Sequence, residues 1–287
     1  MTLIEGKKIA ASIELAIKQK IQQQNISPGL TVFLVGEDPA STTYVSMKRK
    51  ACHRVGVRSC VRRFRSTFSQ KDLLHEIALE NSNKDTHAIL VQMPLPPHIC
   101  PLKIIESIDP QKDVDGFHPL NMGKTLLGQK EGIRPCTPAG ICALLETLPI
   151  SYQEKNALIV GRSNIVGKPL AAMLMQKTHF APSSLKMVHS QTIDLRAHTK
   201  EADLLIVAAG KPHLIQGSMI KEGAVIIDVG ISTCKKQNKF IGDVDFLEAK
   251  KKASFITPVP GGVGPMTVVM LLKNALSCFH QQNLHQV

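Results

Sequence analysis

Three short apolar runs in the second half of the chain constrain its fold most strongly. Each consists mainly of aliphatic residues and ends in glycine: ALIVG (157–161), LLIVAAG (204–210) and AVIIDVG (224–230). Uninterrupted apolar strands are buried on both faces, as in parallel sheets covered by helices. Residues 138–264 are therefore predicted to form a doubly wound α/β domain of the Rossmann type.

The first half of the chain repeats the alternation of helix and strand. Isoleucines recur at a helical spacing of four between residues 4 and 23. Strand-like runs follow at LTVFLVG (30–36) and AILVQM (88–93), with a helical segment near 70–80 between them. This pattern predicts a second parallel α/β domain, residues 1–137, completed by a C-terminal helix within 265–287.

A long stretch between the two predicted domains, residues 112–140, is rich in glycine and proline and has little periodicity. Such a stretch is typical of a functional loop or of a crossing between domains. Near its end, Thr137 is predicted to cap a helix whose first residue is Pro138.

The formal net charge of +12 raises a nucleic-acid-binding module as one hypothesis, because Lys and Arg gain affinity for phosphates by releasing counterions. Against it, the chain has no Trp, only two Tyr and no nucleic-acid motif, so stacking platforms are scarce. The densest basic stretch, VRSCVRRFR (57–65), alternates like a strand with a solvated face. Positive charge can equally steer small anionic substrates.

Targeting and metal-binding signals are missing from the sequence. No apolar run approaches the roughly 20 residues that a membrane helix needs. Glu and Lys interrupt the apolar residues at the start of the chain, unlike in a signal peptide, so a cytoplasmic protein without membrane contact is expected.

The seven cysteines are scattered and never spaced as CxxC, which predicts reduced thiols. The 11 histidines form no HExxH or HxxxH pair, and no metal is expected.

A glycine-containing segment, VGRSNIVGKPLAAML (160–174), follows one predicted strand and opens a helix. A dinucleotide pyrophosphate binds at such a helix start. The sequence does not match the GxGxxG motif, because Arg162 and Ser163 directly follow Gly161 and the next glycine is Gly167. A plain turn from strand to helix is therefore the alternative.

The next predicted strand, LKMVH (185–189), indicates which dinucleotide is favoured. It is followed by Ser190, without the Asp or Glu that would accept a hydrogen bond from a ribose 2′-hydroxyl. Arg162 and Ser190 could instead donate to a 2′-phosphate through charge-assisted hydrogen bonds. NADP is favoured over NAD.

Tyr44 and Lys48 lie four residues apart where a helix is predicted to begin, so their side chains share one face. Short-chain dehydrogenases use a YxxxK pair, but there the glycine loop precedes the pair, whereas here it follows. A snorkelling surface lysine is the alternative.

Gln92 ends a predicted strand, and Asp113 and Asp115 lie in the following loop. Open parallel sheets bind ligands at the carboxyl ends of their strands, so these residues are candidates for a binding site. The alternative is that Gln92 is an ordinary residue at the edge of the sheet and that the two Asp residues form a turn.

Several motifs together resemble the bifunctional methylenetetrahydrofolate dehydrogenase/methenyltetrahydrofolate cyclohydrolase family. They occur in order over nearly the whole chain: YVSMK, ILVQMPLP, KDVDGFHP, PCTPAG, VGRSNIVGKP and FITPVPGGVGPMT. The resemblance implies a substrate domain and an NADP domain with the active-site cleft between them. It also implies a homodimer that oxidises 5,10-methylenetetrahydrofolate with NADP and hydrolyses the product to 10-formyltetrahydrofolate in one-carbon metabolism.

The same resemblance implies a role for each site residue. Lys48 would be the general acid and base of the cyclohydrolase step, Gln92 would orient it, and Tyr44 would stack on the folate. Asp115 would bind the amino edge of the pterin. The remaining residues of the implied site bind substrate (Pro260, Gly261, Gly262) or NADP (Gly161, Arg162, Ser163, Ser190, Ile231).

Two positions depart from the family pattern. Met93 stands where Leu is usual, which is harmless because the two side chains have similar volumes. Gln191 stands where a basic residue is common, which narrows the expected margin of NADP over NAD. A non-catalytic folate or nucleotide carrier is the alternative from another functional class.

Overall fold

The computed structural model describes residues 1–234 and 239–283 and divides the chain into two compact units. The lysine unit contains residues 12–125, residues 129–136 and the residues from 268 onwards. The glycine-loop unit contains residues 1–11, 126–128 and 137–267. The division into 1–137 and 138–264 that the sequence suggests stays a prediction.

Strands and helices alternate along the chain, as expected for an α/β protein. The strands are β1 (Thr2–Leu3), β2 (Gly29–Val35), β3 (Arg58–Phe64), β4 (Ala88–Val91), β5 (Asn156–Val160), β6 (Ser184–Val188), β7 (Leu204–Val207), β8 (Val225–Asp228), β9 (Ser232–Cys234), β10 (Lys239–Ile241) and β11 (Phe255–Ile256). The helices are α1 (Gly6–Gln23), α2 (Pro39–Val55), α3 (Gln70–Ser82), α4 (Pro101–Ser107), α5 (Pro119–Leu126), α6 (Cys136–Glu146), α7 (Gly167–Leu174), α8 (Leu195–Glu201), α9 (Phe246–Ala249) and α10 (Val263–Asn283).

The lysine unit is built on a three-stranded parallel sheet with strand order β3-β2-β4. All residues of β2 and β4 are buried, in keeping with their mainly apolar sequences, whereas the edge strand β3 exposes Arg58, Cys60 and Arg63. The strand predicted at 57–65 is thereby confirmed. Helix α2 begins where Pro39 follows Asp38, whose carboxylate accepts the Ser41 amide at 2.8 Å.

The glycine-loop unit is built on a six-stranded sheet with order β1-β11-β8-β7-β5-β6, in which every pairing is parallel. The prediction of a doubly wound sheet is confirmed. Strands β5, β7 and β8 form its centre, and the aliphatic residues that they contribute are buried. The pairing of β1 with β11 was not expected from sequence, because a two-residue strand carries no periodic signal.

Three local predictions differ from the structure. Helix α6 begins at Cys136, so Thr137 is not its cap; the Thr137 hydroxyl instead hydrogen-bonds the Thr267 hydroxyl at 3.0 Å. The stretch predicted as irregular contains helix α5. The last helix begins at Val263, and residues 284–287 of the predicted helix lie outside the described residues.

Within residues 1–234 and 239–283, no helix has the length and apolar character needed to cross a membrane. No group of three or more His, Cys, Asp or Glu side chains in the same ranges could hold a metal ion. The cysteines whose side chains are described are all free thiols: Cys52, Cys60, Cys100, Cys136, Cys142 and Cys278. The side chain of Cys234 lies outside the described part.

A buried lysine holds the end of α3, and this contact can be tested. The Lys112 ammonium donates to the carbonyl oxygens of Glu80 at 3.0 Å and Asn83 at 2.8 Å, and only 5% of the residue is exposed. Lys112→Met should lower the free energy of unfolding by about 2 kcal/mol, because two charge-assisted hydrogen bonds that hold the end of α3 are lost. Urea denaturation measures the change. The exposed Lys103 on α4 provides the control, and an equal loss in Lys103→Met would contradict the assignment.

Candidate active site

Lys48 lies on α2, one turn after Tyr44, and is buried with 9% of the residue exposed. Its ammonium Nζ donates a hydrogen bond to Gln92 Oε1 at 3.1 Å. A solvated surface lysine would have neither property, so that alternative is wrong. Burial of an ammonium group is unfavourable unless it is paired or has a function, which makes Lys48 a candidate for chemistry.

Gln92 directly follows β4, and its backbone amide donates to the Phe33 carbonyl at 2.9 Å, which continues the pairing with β2. Both ends of its side-chain amide are engaged. Nε2 donates to the Met93 carbonyl at 2.7 Å, while Oε1 accepts from Lys48. The two contacts fix the rotation of the amide group, so the acceptor oxygen is held towards the lysine.

Asp113 is fully satisfied by its own loop. Its carboxylate accepts hydrogen bonds from the amide of Gly116 at 3.1 Å, the amide of His118 at 2.8 Å and Asn121 Nδ2 at 2.9 Å. Burial raises the pKa of this carboxyl group, and the hydrogen bonds partly oppose that rise. Asp113 therefore organises the loop and is not available to a ligand.

Asp115 differs from Asp113 although it is only two residues away. It is partly exposed, and no group within residues 1–234 and 239–283 donates a hydrogen bond to its carboxylate. Desolvation raises its pKa to about 6; the charge of Lys48 opposes the rise and that of Asp113 adds to it. The structure thus places beside Lys48 a carboxylate whose acceptor oxygens are free for a ligand with N–H donors.

Tyr44 completes the group in the lysine unit. It is partly buried, and desolvation raises the pKa of its phenol, so the side chain is neutral at physiological pH. Because Tyr44 lies four residues before Lys48 on the same helix, both side chains share a face. A neutral aromatic ring in this position can stack on a planar ligand.

Sequence reasoning missed Asn274, which anchors the loop that carries Asp115. Asn274 is buried on α10, and its Nδ2 donates to the carbonyls of Val114 at 2.9 Å and Arg134 at 2.8 Å. It also approaches Cys136 Sγ at 3.4 Å. The sequence did contain a signal for this residue, because Asn274 lies within the mainly apolar segment LLKNALS. An asparagine that is buried in such a segment needs hydrogen-bond partners.

In the glycine-loop unit, two glycines shape the segment between β5 and α7. Gly161 has φ = +125°, and any side chain there would overlap the carbonyl oxygen of Ala208. A side chain at Gly167 would overlap the carbonyl oxygen of Gly161. The Ser163 hydroxyl accepts the amide of Val166 at 3.1 Å, which closes the turn. The loop is therefore tighter than an ordinary turn between strand and helix.

The carboxyl edge of this sheet carries exposed side chains that can donate hydrogen bonds to an anion. Strands β5 and β6 are parallel neighbours, and the amide of Gly161 donates to the Val188 carbonyl at 2.8 Å, so Arg162 and Ser190 follow adjacent strand ends. Both residues are exposed, and neither Ser190 nor its neighbours in sequence carry a carboxylate. Ile231, which follows β8 at the same edge, is 44% exposed. Arg162 and Ser190 can donate to a phosphate, and Ile231 can pack against a nucleotide.

The predicted folate residues Pro260, Gly261 and Gly262 lie in the glycine-loop unit together with the predicted cofactor residues. Gly261 has φ = +112° and accepts the amide of Lys7 at 2.9 Å through its carbonyl. The amide of Gly262 donates to the Pro258 carbonyl at 2.8 Å. The other predicted catalytic and folate residues, Tyr44, Lys48, Gln92 and Asp115, belong to the lysine unit.

The chain is thus an α/β protein with two different candidate binding units. The glycine-loop unit has a glycine-containing turn between a strand and a helix, as nucleotide-binding folds do. The lysine unit has a buried lysine, its amide partner and an open carboxylate.

Comparison with known proteins makes the assignment specific. The family model described as tetrahydrofolate dehydrogenase/cyclohydrolase, catalytic domain, matches residues 4–115, and the model of the NAD(P)-binding domain of the same family matches residues 135–283. The bifunctional protein FolD of Nautilia profundicola is 48% identical over 279 residues, which cover 96% of each chain.

Solved structures of enzymes from the same family are similar to this chain over nearly its whole length. The bifunctional FolD methylenetetrahydrofolate dehydrogenase/cyclohydrolase of Campylobacter jejuni is 46% identical, with a TM-score of 0.92 over 98% of this chain and 99% of that one. The Trypanosoma brucei enzyme in complex with NADP cofactor and inhibitor is 34% identical, with a TM-score of 0.92 over 98% of both chains. The chain belongs to the tetrahydrofolate dehydrogenase/cyclohydrolase family.

The raised pKa of Asp115 predicts a stability change with a defined pH dependence. Because the folded-state pKa of about 6 lies above the ordinary 3.8, folding favours the protonated form, and the contribution of Asp115 to stability falls as pH rises through this window. Asp115→Asn should therefore raise the free energy of unfolding near neutral pH by on the order of 1 kcal/mol, a value reduced because the carboxyl group is partly exposed.

The gain should shrink towards the acidic end of that window, as measured by urea denaturation at several pH values. The exposed Glu106 on α4 provides the control, since Glu106→Gln should show no such trend. A gain that is constant with pH, or a loss near neutrality, would show that Asp115 is stabilised as the anion.

Proposed function

We propose that the chain oxidises 5,10-methylenetetrahydrofolate to 5,10-methenyltetrahydrofolate with NADP and hydrolyses that product to 10-formyltetrahydrofolate. Family membership supports both activities. The observation in the structure that carries the proposal is the hydrogen bond from the buried Lys48 to Gln92 beside the open carboxylate of Asp115. This combination can supply both a proton-transfer group and an acceptor for the N–H donors of a pterin.

The oxidation step needs no base in the protein. The lone pair of the adjacent folate nitrogen drives hydride departure from the methylene carbon, and the product is a delocalised cation. When bound, NADP⁺ accepts that hydride. The residues of the chain therefore contribute binding, orientation and the exclusion of water to this step.

The hydrolysis step requires proton movement at two atoms. Water loses a proton as it attacks the methenyl carbon, and a ring nitrogen gains one as the five-membered ring opens. We assign this acid and base role to Lys48, whose ammonium is held by Gln92 and faces the Asp115 charge. Positioned acid and base groups accelerate such reactions by about 10² to 10⁴.

Asp115 and Tyr44 are assigned to binding of the pterin. The free carboxylate of Asp115 can accept two N–H donors from the amino edge of the ring, whereas the oxygens of Asp113 are already occupied. The neutral ring of Tyr44 is assigned to stacking. Pro260, Gly261 and Gly262 are assigned to the same substrate on the family pattern.

The cofactor residues are assigned from the geometry of the glycine loop. Gly161 permits the tight turn, and Arg162, Ser163 and Ser190 are exposed donors after adjacent strands. Arg162 and Ser190 would hold the 2′-phosphate, and Ile231 would pack against the nucleotide. We further propose a cytoplasmic homodimer that binds neither nucleic acid nor membranes.

The alternative, a non-catalytic folate or nucleotide carrier, is tested by turnover. Methylenetetrahydrofolate and NADP⁺ are incubated with the protein, NADPH is followed by absorbance, and 10-formyltetrahydrofolate is quantified by chromatography. The proposal predicts that both products form catalytically. Binding of both ligands without turnover would establish the carrier instead.

Replacement of Lys48 should separate the two activities. Lys48→Gln removes the proton-transfer group, so cyclohydrolase activity should fall by about 10² to 10⁴ while much of the dehydrogenase activity remains. Each activity is measured with its own substrate, and the uncatalysed hydrolysis is subtracted. Lys50→Gln, an exposed neighbour on α2, is the matched control and should retain both activities.

Two outcomes would contradict this role of Lys48. Full retention of both activities would mean that the lysine has no part in the chemistry. Parallel loss of both in a folded variant would mean that it binds or positions the folate.

Replacement of Arg162 should affect only the phosphorylated nucleotide. Arg162→Ala should raise the KM for NADP⁺ about tenfold to a hundredfold, the effect of losing one charge-assisted hydrogen bond, and leave the KM for NAD⁺ little changed. Steady-state kinetics with both nucleotides measure this split. Lys250→Ala removes an exposed charge after α9 and should change neither value. Equal losses with both nucleotides would show that Arg162 holds the loop.

A further inference from the structure

Two buried carboxylates lie near the carboxyl edge of the sheet in the glycine-loop unit, and neither has a role above. Asp228 is the last residue of β8 and is 4% exposed. Asp243 follows β10 and is fully buried. Ionisable side chains are rarely buried to this degree unless they are paired or functional. Desolvation raises the pKa of both carboxyl groups, which reflects the unfavourable free energy of burying the anions.

Asp228 ties the turn after β8 to the segment after β10. Its Oδ1 accepts the amides of Gly230 at 2.9 Å and Asp243 at 3.0 Å, and its Oδ2 accepts the amide of Val244 at 3.0 Å. The turn leads directly to Ile231, one of the proposed nucleotide contacts. Asp228 thus fixes the backbone of Asp243 relative to this turn.

Asp243 extends the same chain of contacts to the segment after β7. Its Oδ2 accepts the amides of Ala209 and Gly210, both at 2.7 Å. The preceding residue, Ala208, presents the carbonyl oxygen that a side chain at Gly161 would overlap. The backbone held by Asp243 is therefore the surface on which the glycine loop packs.

The other oxygen of Asp243 lies against the turn after β8. Oδ1 is buried and has no hydrogen-bond partner among the described residues, and it lies so close to Gly230 that a side chain there would overlap it. A buried acceptor without a donor is unfavourable. Asp243 therefore contacts three backbone segments at this edge of the sheet: the segment after β7, the turn after β8 and its own segment after β10.

We propose that Asp243 is a positioning residue for the dinucleotide, acting through the amides of Ala209 and Gly210 to fix the glycine loop. This inference rests on the proposed function, in which NADP binds at this edge. Because Asp243 acts through the amides of Ala209 and Gly210 and not through the groups proposed to bind the 2′-phosphate, it should affect NAD⁺ and NADP⁺ equally.

The experiment compares nucleotide binding with the activity that uses no nucleotide. Asp243→Ala should raise the KM for NADP⁺ and NAD⁺ alike, by about tenfold to a hundredfold, because charge-assisted hydrogen bonds to two amides are lost. Cyclohydrolase activity on methenyltetrahydrofolate should stay within about twofold of wild type. Titration calorimetry with NADP⁺ provides the dissociation constant independently of turnover.

Two further variants make the test specific. Asp243→Asn keeps one acceptor oxygen but not the charge, so its KM values should lie between those of wild type and Asp243→Ala. Asp245→Ala is the matched control two residues away: it removes the carboxylate that accepts the Glu248 amide at the start of α9. That variant should lower the melting temperature without changing nucleotide binding.

The outcomes are distinguishable. A folded Asp243→Ala with unchanged nucleotide affinity, or with both activities reduced equally, overturns the positioning role. If Asp243→Ala does not fold, Asp243→Asn decides, and an affinity for both nucleotides equal to wild type overturns the proposal. If wild type fails to turn over methylenetetrahydrofolate, the proposed function fails, while calorimetry still reports on Asp243.

Discussion

The hydrogen bond from Lys48 to Gln92 is the interaction on which the proposed active site depends. It joins the helix after β2 to the end of β4, two elements that only a parallel sheet brings to the same edge. Without an oriented partner, a long flexible ammonium group would sample many rotamers and would be costly to bury. The amide of Gln92 is itself fixed by the Met93 carbonyl, so the lysine is held before any ligand arrives. Such preorganisation is what proton transfer at a defined atom requires.

The two units solve their binding problems by different physical means. In the lysine unit the specificity lies in side chains, and a difference in hydrogen bonding separates the structural Asp113 from the open Asp115. In the glycine-loop unit the backbone shapes the loop, because glycine at Gly161 allows a turn that no other residue could adopt without overlap. Asp243 holds the neighbouring segment after β7 through the amides of Ala209 and Gly210.

Sequence alone predicted the parts of this protein that repeat a physical pattern. The buried strands were evident because mainly aliphatic runs ending in glycine have few other uses. Gln92 and the loop with Asp113 and Asp115 were placed at the ligand-binding edge by the rule for parallel sheets, whereas the roles of Lys48 and Asp115 came from the family resemblance. The residues that sequence did not reveal act through long-range contacts. Asn274 is 160 positions from the carbonyl that it holds, and Asp243 is 34 positions from the amide of Ala209. The start of α6 was wrong by two residues, since helix ends depend on tertiary contacts such as that of Thr137 with Thr267.

The most direct test of the lysine site is a crystal structure of the chain with a stable tetrahydrofolate analogue bound. The account predicts that the amino edge of the pterin donates to the Asp115 carboxylate, that Tyr44 stacks on the ring, and that Lys48 Nζ lies within hydrogen-bond reach of the one-carbon position while still bonded to Gln92. A pterin bound away from Asp115, or a Lys48 side chain that points away from the one-carbon position, would contradict it.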